Sequence, residues 1–394
     1  MSDITVREIQ GEEMLEIMHW LTGYGLNPSP PLPDKEERQE IFKKRRGATY
    51  YALFEDEEAA ACAASARMIQ QVRGKLYPMA GIWGVATHPA ARRKGYQRQV
   101  LGELLGAIRE MEQPLSCLYP FRGSFYERLG YIPFPVPRKA IFPPSVLQPI
   151  VKQDLGGEVE MTLIGDGFDI YRDYLKRHQA NVHGMAIFEH GDRDRAQRNT
   201  SWLAMAKVDG EIVGVMLYDL KGEMPTKFKL RAMRFYYHTS QGKYLLLSWI
   251  AHHIDQADQV EIWLPPNAQP ETWLSDLRVQ MEPVFFPPMG RVLDVANIGG
   301  MVTGEGGFSA RISDPICPWN EGVWRFETVD SKLTVSAGEV EDCKLDIRGL
   351  SALVYGTHDP GDFPILGWGE PGADEQGIMR EMFARKVPYL HELF

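Results

Sequence analysis

The stretch THPAARRKGYQRQVL, residues 87–101, joins two kinds of pattern. Upstream, YPMAGIWGVAT (77–87) reads as a strand, and Gly81 and Gly84 inside it predict a bulge or a close backbone approach. Downstream, Val100, Leu101, Leu104, Leu105, Ile108 and Met111 mark one face of a helix. Between them Arg92, Arg93 and Lys94 run into Gly95, in a chain of net charge −10. A helix N-terminus exposes unpaired N–H groups and a partial positive charge, which suits an anion. Glycine removes the Cβ that would keep a ligand off the backbone. The cations add charge-assisted contacts. The expected ligand is a phosphate or pyrophosphate, and the alternative is a solvated basic turn. The stretch is neither a P-loop (GxxxxGK[ST]) nor the GxGxxG of dinucleotide-binding folds.

Working outward, Met14, Ile17, Met18 and Leu21 recur at helical spacing over 12–23. NPSPPLPD (27–34) holds four prolines in eight residues and forms a stiff loop. KEERQEIFKKRR (35–46) is a second helix. TYYALF and AAACAASARMIQQV, around the polar turn EDEE, read as a hairpin. PLSCLYP (114–120) is a short buried strand, and GSFYERLGY (123–131) a short helix closed at Gly130. The pattern partly recurs. SWLAMAKV, a DG turn and EIVGVMLYDL form a second hairpin. KFKLRAMRFYYH, the helix SQGKYLLLSWIAHHID and the strand QVEIWLP follow it. A second copy of one unit is therefore expected over 151–285, without the basic triplet. Residues 286–394 differ, with strands FSARISD, VWRFETVD and KLTVSAG and helices LSALVYG and DEQGIMREMFAR. FPPMG (286–290) marks the boundary.

Length and composition bound the class. At roughly 100–200 residues per domain, 394 residues suggest two to four domains. The acidic balance argues against general nucleic-acid binding and fits a cationic small substrate. Cys62, Cys117, Cys317 and Cys343 are scattered without a CxxC pair, which argues against zinc and suits a reducing compartment. The N-terminus shows no signal peptide, and no apolar run reaches the ~20 residues of a membrane span. A cytoplasmic protein without a membrane partner is expected.

Arg92-x-x-Gly95-x-Gln97 after a strand, followed by FYERLGY, resembles the GNAT acetyltransferases, whose signature is [QR]xxGx[GA] and whose later segment is FYxxLGF. Gln97 stands where that family has Gly or Ala. A tandem GNAT pair with a degenerate second copy, ending in a sterol-carrier-protein-like domain, resembles the Eis (enhanced intracellular survival) type. The resemblance implies an α/β (α+β mixed-sheet) architecture with domains at 1–150, 151–285 and 286–394. It implies acetyl-CoA as co-substrate, no metal, a primary-amine acceptor (an aminoglycoside-like polycation or a lysine side chain) and a homo-oligomer, commonly a hexamer.

The same resemblance assigns roles. The loop amides and side chains of Arg92, Arg93, Lys94, Gly95, Tyr96, Gln97 and Arg98 hold the pyrophosphate. Val85, Ala86 and Thr87 pair with the pantetheine arm, which Phe121 and Arg122 also meet. Tyr126 is the general acid toward the CoA sulfur; a core tyrosine is the alternative. The α-carboxylate of Phe394 is the base, with His391 and Glu392 as alternatives. YLHELF ends in apolar residues that favour burial over fraying. Apart from the resemblance, a bulge near Gly84 would free the Val85 N–H, which makes it a candidate oxyanion donor. Trp20 and Tyr24 are candidates for the acceptor wall. His88 is structural, and His252-His253 lacks a third metal ligand. A contrasting expectation is a non-catalytic protein that binds an apolar ligand in its last domain.

Overall fold

A computed structural model of the protein describes residues 3–44, 47–190, 193–224, 226–390 and 392–394. His391 and the end of the second helical stretch, Arg45-Arg46, lie outside them. The described residues form three sheets of eight, seven and four strands. They divide into two compact units: Met1–Phe134 with His183–His190 and Pro287–Phe394, and Pro135–Val182 with Gly191–Phe286.

The first unit opens with β1 (Ile4–Glu8), α1 (Gly11–Leu26), α2 (Lys35–Lys44), β2 (Thr49–Glu55), β3 (Glu58–Val72) and β4 (Lys75–Thr87). It continues with α3 (Tyr96–Glu110), β5 (Leu115–Leu118), α4 (Gly123–Glu127) and β6 (Ile132–Pro133). β1 is an addition to the sequence reading. Only Val6 in it is even half-buried, so no apolar run marks it. The sheet runs β1-β2-β3-β4-β5, then Met289–Val292, then β6, while Ala186–Phe188 pairs with β3. β4 and β5 are parallel.

Strand alternation builds this unit's two apolar layers. Ala52, Phe54, Cys62 and Ala64 face one way, into a cluster with Met14, Leu15, Met18 and Leu21 of α1. Leu53, Ala61, Ala63 and Ile82 face the other way, against Val100, Leu101, Leu104, Leu105 and Ile108 of α3. Alanines along β3 let helices approach both faces. Met111 lies past the end of α3 and is exposed, unlike the rest of its predicted face.

In the second unit the strand order is Gln280–Pro283, Arg138–Phe142, Ala257–Leu264, Phe228–Tyr237, Glu211–Lys221, Trp202–Val208, Glu158–Leu163. Arg138–Phe142, which the sequence reading left with the first domain, pairs here with Ala257–Leu264 and Gln280–Pro283. The hairpin, the following strand and the helix Ser240–Ala251 stand where the repeat predicts them.

The last region forms strands Gly307–Ser313, Gly322–Val329, Lys332–Ala337 and Cys343–Asp346 and helices Ile347–Tyr355 and Ala373–Met382. Cys343–Asp346, too short to show a period, pairs in parallel with Gly307–Ser313. All four cysteines are buried and free, and burial pushes each thiol up to about 12.

The route of the C-terminal tail is set by Arg73 in the β3–β4 turn. Its buried guanidinium donates to the carbonyls of Leu353 (2.7 Å), Val354 (2.8 Å) and Ala384 (3.0 Å). The first two end the helix Ile347–Tyr355, where positive charge is favoured. The Arg73 N–H donates to His183 Nδ1 (3.1 Å), so His183 Nε2 carries the proton that faces the Tyr355 carbonyl (2.9 Å). Lys386 N–H then donates to Gly356 O, and Tyr389 N–H to His183 O.

Arg73→Leu strands buried carbonyls, and urea unfolding should show a loss of about 2–4 kcal/mol. Burial lowers His183 to about 4 from its ordinary 6.5. The folded state therefore keeps it neutral, and unfolding takes up a proton below pH 6.5. Stability should fall as pH drops from 6.5 toward 4, and His183→Gln should flatten that part of the profile.

Candidate active site

Parallel pairing of β4 with β5 ends at Ile82–Leu118, yet β4 runs on to Thr87. Pro120 follows Tyr119 and has no N–H to extend the ladder. The strands part there. Just beyond, β4 bulges: Cys62 faces Ala86 and Ala64 faces Trp83, leaving Gly84 and Val85 opposite Ala63. Gly84 accommodates a close approach, since a Cβ there would stand 2.7 Å from Met18 Cε and 3.7 Å from Thr22 Cγ2 of α1.

At the end of β4 a short turn, Pro89–Ala91, leads to the basic loop. Gly95 precedes α3 at φ +84°, a left-handed conformation suited to glycine, with open space where a Cβ would stand. The first backbone bonds of α3 run from Arg98 and Gln99 to Gly95 O, and the amides of Gly95, Tyr96 and Gln97 have no backbone acceptor among the described residues. Arg92 and Arg93 are exposed and form no ion pair among the described residues. Arg92 Nε donates to Thr87 O (3.4 Å), and its guanidinium lies 6.0 Å from the Tyr24 ring.

The other predicted side chains are engaged within the protein, Lys94 and Arg98 at the surface and Tyr96 and Gln97 buried. Lys94 pairs with Glu55 at 2.8 Å, and the Tyr96 hydroxyl donates to the same carboxylate (2.6 Å). Gln97, the residue that departs from the family signature, is buried; it accepts from Thr87 Oγ1 (3.0 Å) and donates to Cys62 O (3.2 Å). Arg98 donates to the Pro315 carbonyl. Tyr96 and Gln97 thus offer amides to an anion, while their side chains brace the helix start.

Tyr126 on α4 is 3 % exposed, amid Phe121, Phe125 and Tyr131 at 5.0–6.1 Å between ring centroids. Burial raises its pKa, with the neighbouring Tyr131 adding to the shift. Its hydroxyl has no hydrogen-bond partner among the described residues and is not sealed from solvent. Phe121 is exposed beside it, and Arg122 precedes α4.

The C-terminus reaches the same place. The Phe394 ring lies on Gly81 of β4, where a Cβ would stand 2.8 Å from the ring, and 5.6 Å from the Tyr119 ring just after β5. Tyr119 donates to the Leu390 carbonyl at 3.3 Å. Tyr119, Glu55 and Thr22 carry no signal in the sequence, whereas Gly81, a glycine inside a strand, marks the close approach now seen with Phe394. Trp20 and Tyr24 are half exposed on α1 rather than core. His252 and His253 follow the helix Ser240–Ala251, and His253 Nδ1 meets the Trp249 carbonyl. No group of three metal-ligating side chains occurs among the described residues, and no helix there is long and apolar enough to cross a membrane.

Comparison with known proteins agrees with this fold. Residues 5–134 match the acetyltransferase (GNAT) domain family, and residues 303–391 the sterol carrier protein domain family. No curated protein matches the chain. Three solved structures share its fold over the whole of both chains. One is a probable N-acyltransferase of unknown function from Enterococcus faecalis V583 (TM-score 0.84, 21 % identity). Another is a GCN5-related N-acetyltransferase from Anabaena variabilis (0.83, 18 %), and the third is Eis1 from Mycobacterium abscessus (0.75, 14 %).

Replacing Arg92 and Arg93 together by alanine should weaken acetyl-CoA binding roughly 10- to 100-fold by calorimetry, with the gap narrowing as salt rises.

Proposed function

We propose that this chain, an acetyltransferase of the Eis-type tandem-GNAT architecture ending in a sterol-carrier-protein domain, moves the acetyl group of acetyl-CoA to the nitrogen of a primary amine. One observation carries the reading. The parted ends of β4 and β5, an open helix start with unpaired arginines, a buried tyrosine with an unbonded hydroxyl and the chain's own C-terminus all adjoin the last turns of two strands.

The amine nitrogen attacks the thioester carbonyl and loses its proton to the Phe394 carboxylate. The N–H of Val85, at the bulge, donates to the oxyanion. As the C–S bond breaks, the thiolate takes the proton of Tyr126. The amides of Gly95, Tyr96 and Gln97, with Arg92 and Arg93, bind the pyrophosphate. Val85, Ala86 and Thr87 present strand edge to the pantetheine arm beside Phe121 and Arg122. Lys94 and Arg98 stay with Glu55 and Pro315 and shape the loop. A homo-oligomer and a cytoplasmic location belong to the same reading.

A thiol-release assay with acetyl-CoA over a panel of primary amines tests it. Tyr126→Phe should lower kcat about 10²- to 10⁴-fold, and deletion of Phe394 should lower it comparably, with melting temperatures near wild type. A tyrosine whose pKa is raised above 10 keeps its proton through neutral pH, so the alkaline fall in kcat should begin only above pH 10. Full turnover by both variants would overturn the assignment of acid and base. No release with any amine would favour a binding protein.

A further inference from the structure

On the α1–α2 side of the β4 bulge stands a cation without an anion. Arg38 of α2 is half-buried and has no carboxylate partner among the described residues. Among the described residues its guanidinium forms one hydrogen bond, a donation from Nη2 to Thr22 Oγ1 at 2.7 Å. The remaining guanidinium N–H groups have no acceptor there. Two routes fix where it is. Thr22, its acceptor, packs 3.7 Å from the Cβ position of Gly84. Phe42, under the guanidinium at 5.4 Å, meets Trp83, the residue before Gly84, at 5.8 Å between ring centroids.

The acids nearby are engaged elsewhere. Glu16 is held by Lys35 (2.7 Å) and Gln39 (3.2 Å), and Asp34 caps α2 by accepting the Glu37 N–H (2.7 Å). One turn from Thr22, His19 is 8 % exposed, and its Nδ1 is buried with no hydrogen-bond partner. Burial, and then Arg38, disfavour its charged form. A guanidinium without a carboxylate and an unpartnered imidazole nitrogen are thus near enough to act on each other's charge, and Thr22, which accepts from the guanidinium, packs against Gly84 of the bulge.

We infer that the acceptor carries a carboxylate, which the Arg38 guanidinium binds beside the bulge while the acceptor's amine reaches the acetyl group. The inference rests on the acyl-transfer reading and narrows its acceptor to compounds of the amino-acid class. A planar guanidinium matches a carboxylate in two parallel N–H···O bonds, which an ammonium does not reproduce. A polycation without a carboxylate leaves this cation unmatched and repelled.

The test pairs each of a set of α-amino acids with its carboxamide in the thiol-release assay. In the wild type, kcat/KM for the acid should exceed that for the amide by roughly 10- to 100-fold. Arg38→Met should bring the ratio toward one, and Arg38→Lys should leave it between, with acetyl-CoA binding and melting temperature checked for each. Equal turnover of acids and amides by wild type, or a preference that survives Arg38→Met, would overturn the inference. A second arm is independent of turnover. Calorimetric titration of N-acetylphenylalanine and its amide, with CoA present, should show acid-selective binding in the wild type that Arg38→Met abolishes. If no amine is acetylated, the acyl-transfer reading falls, and this titration decides the Arg38 site alone: equal binding of acid and amide rejects it.

Discussion

Two neighbouring parallel strands cannot both keep their ladder and admit a substrate between them. In this chain the ladder of β4 and β5 stops at Ile82–Leu118, and local chemistry enforces the stop from both sides. On β5 the next residues are Tyr119 and Pro120, and proline offers no donor. On β4 the extra residue at Gly84–Val85 turns the strand edge away from its neighbour. The rest of the candidate site depends on that gap. α3 begins beyond the end of β4, α4 beyond the end of β5, and the C-terminal ring lies on β4 at the last paired residues.

The polypeptide after residue 286 serves the gap twice. Its first strand, Met289–Val292, pairs with both β5 and β6. From that strand Arg291, fully buried, donates to the Leu129 carbonyl just after α4 and pairs with Asp314 at 2.5 Å. A buried ion pair adds little stability when compared with a well-packed apolar substitute, but breaking one partner leaves an uncompensated charge. Its effect is geometric: α4, and with it Tyr126, is tied to the last region. That region also ends in the tail that Arg73 and His183 guide back to Gly81. The acid and the base of the proposed reaction are therefore both tied to this last region, by two sets of contacts between residues far apart in sequence.

Elements with strong periodicity were legible. The apolar face of α3, the alternating hairpins and the repeat in the second unit stand where their spacing predicts, and the basic loop lies at a helix start. The predicted bulge in β4 follows from Gly84, a position a side chain would obstruct. What the sequence hid has physical causes. β1 is an edge strand with little burial, and Cys343–Asp346 is too short to show a period. Long-range pairings leave no local trace: Lys94 with Glu55, Arg73 with the helix Ile347–Tyr355, and Arg38 with Thr22. The basic triplet RRK looked like three equivalent cations. Only the fold separates two open arginines from a lysine already paired.

The two units also show why a helix start is not, by itself, an anion site. In the first, seven residues from His88 to Lys94 separate β4 from Gly95, and the helix opens with unclaimed amides. In the second, only His238 and Thr239 separate the strand Phe228–Tyr237 from the helix Ser240–Ala251. Thr239 Oγ1 accepts the Gly242 N–H at 3.0 Å, and a Cβ on Gly242 would stand 2.7 Å from Val213 O, so this helix start is capped and pressed against its own sheet. Both helices carry the same backbone dipole. The difference is loop length and a cap: a threonine satisfies a donor that has no capping side chain in the first unit. Losing the loop also removes the room in which arginines are displayed. Duplication of a fold thus copies the scaffold, while the open amides and free arginines on which the proposed binding rests belong to a loop that a short connection cannot hold.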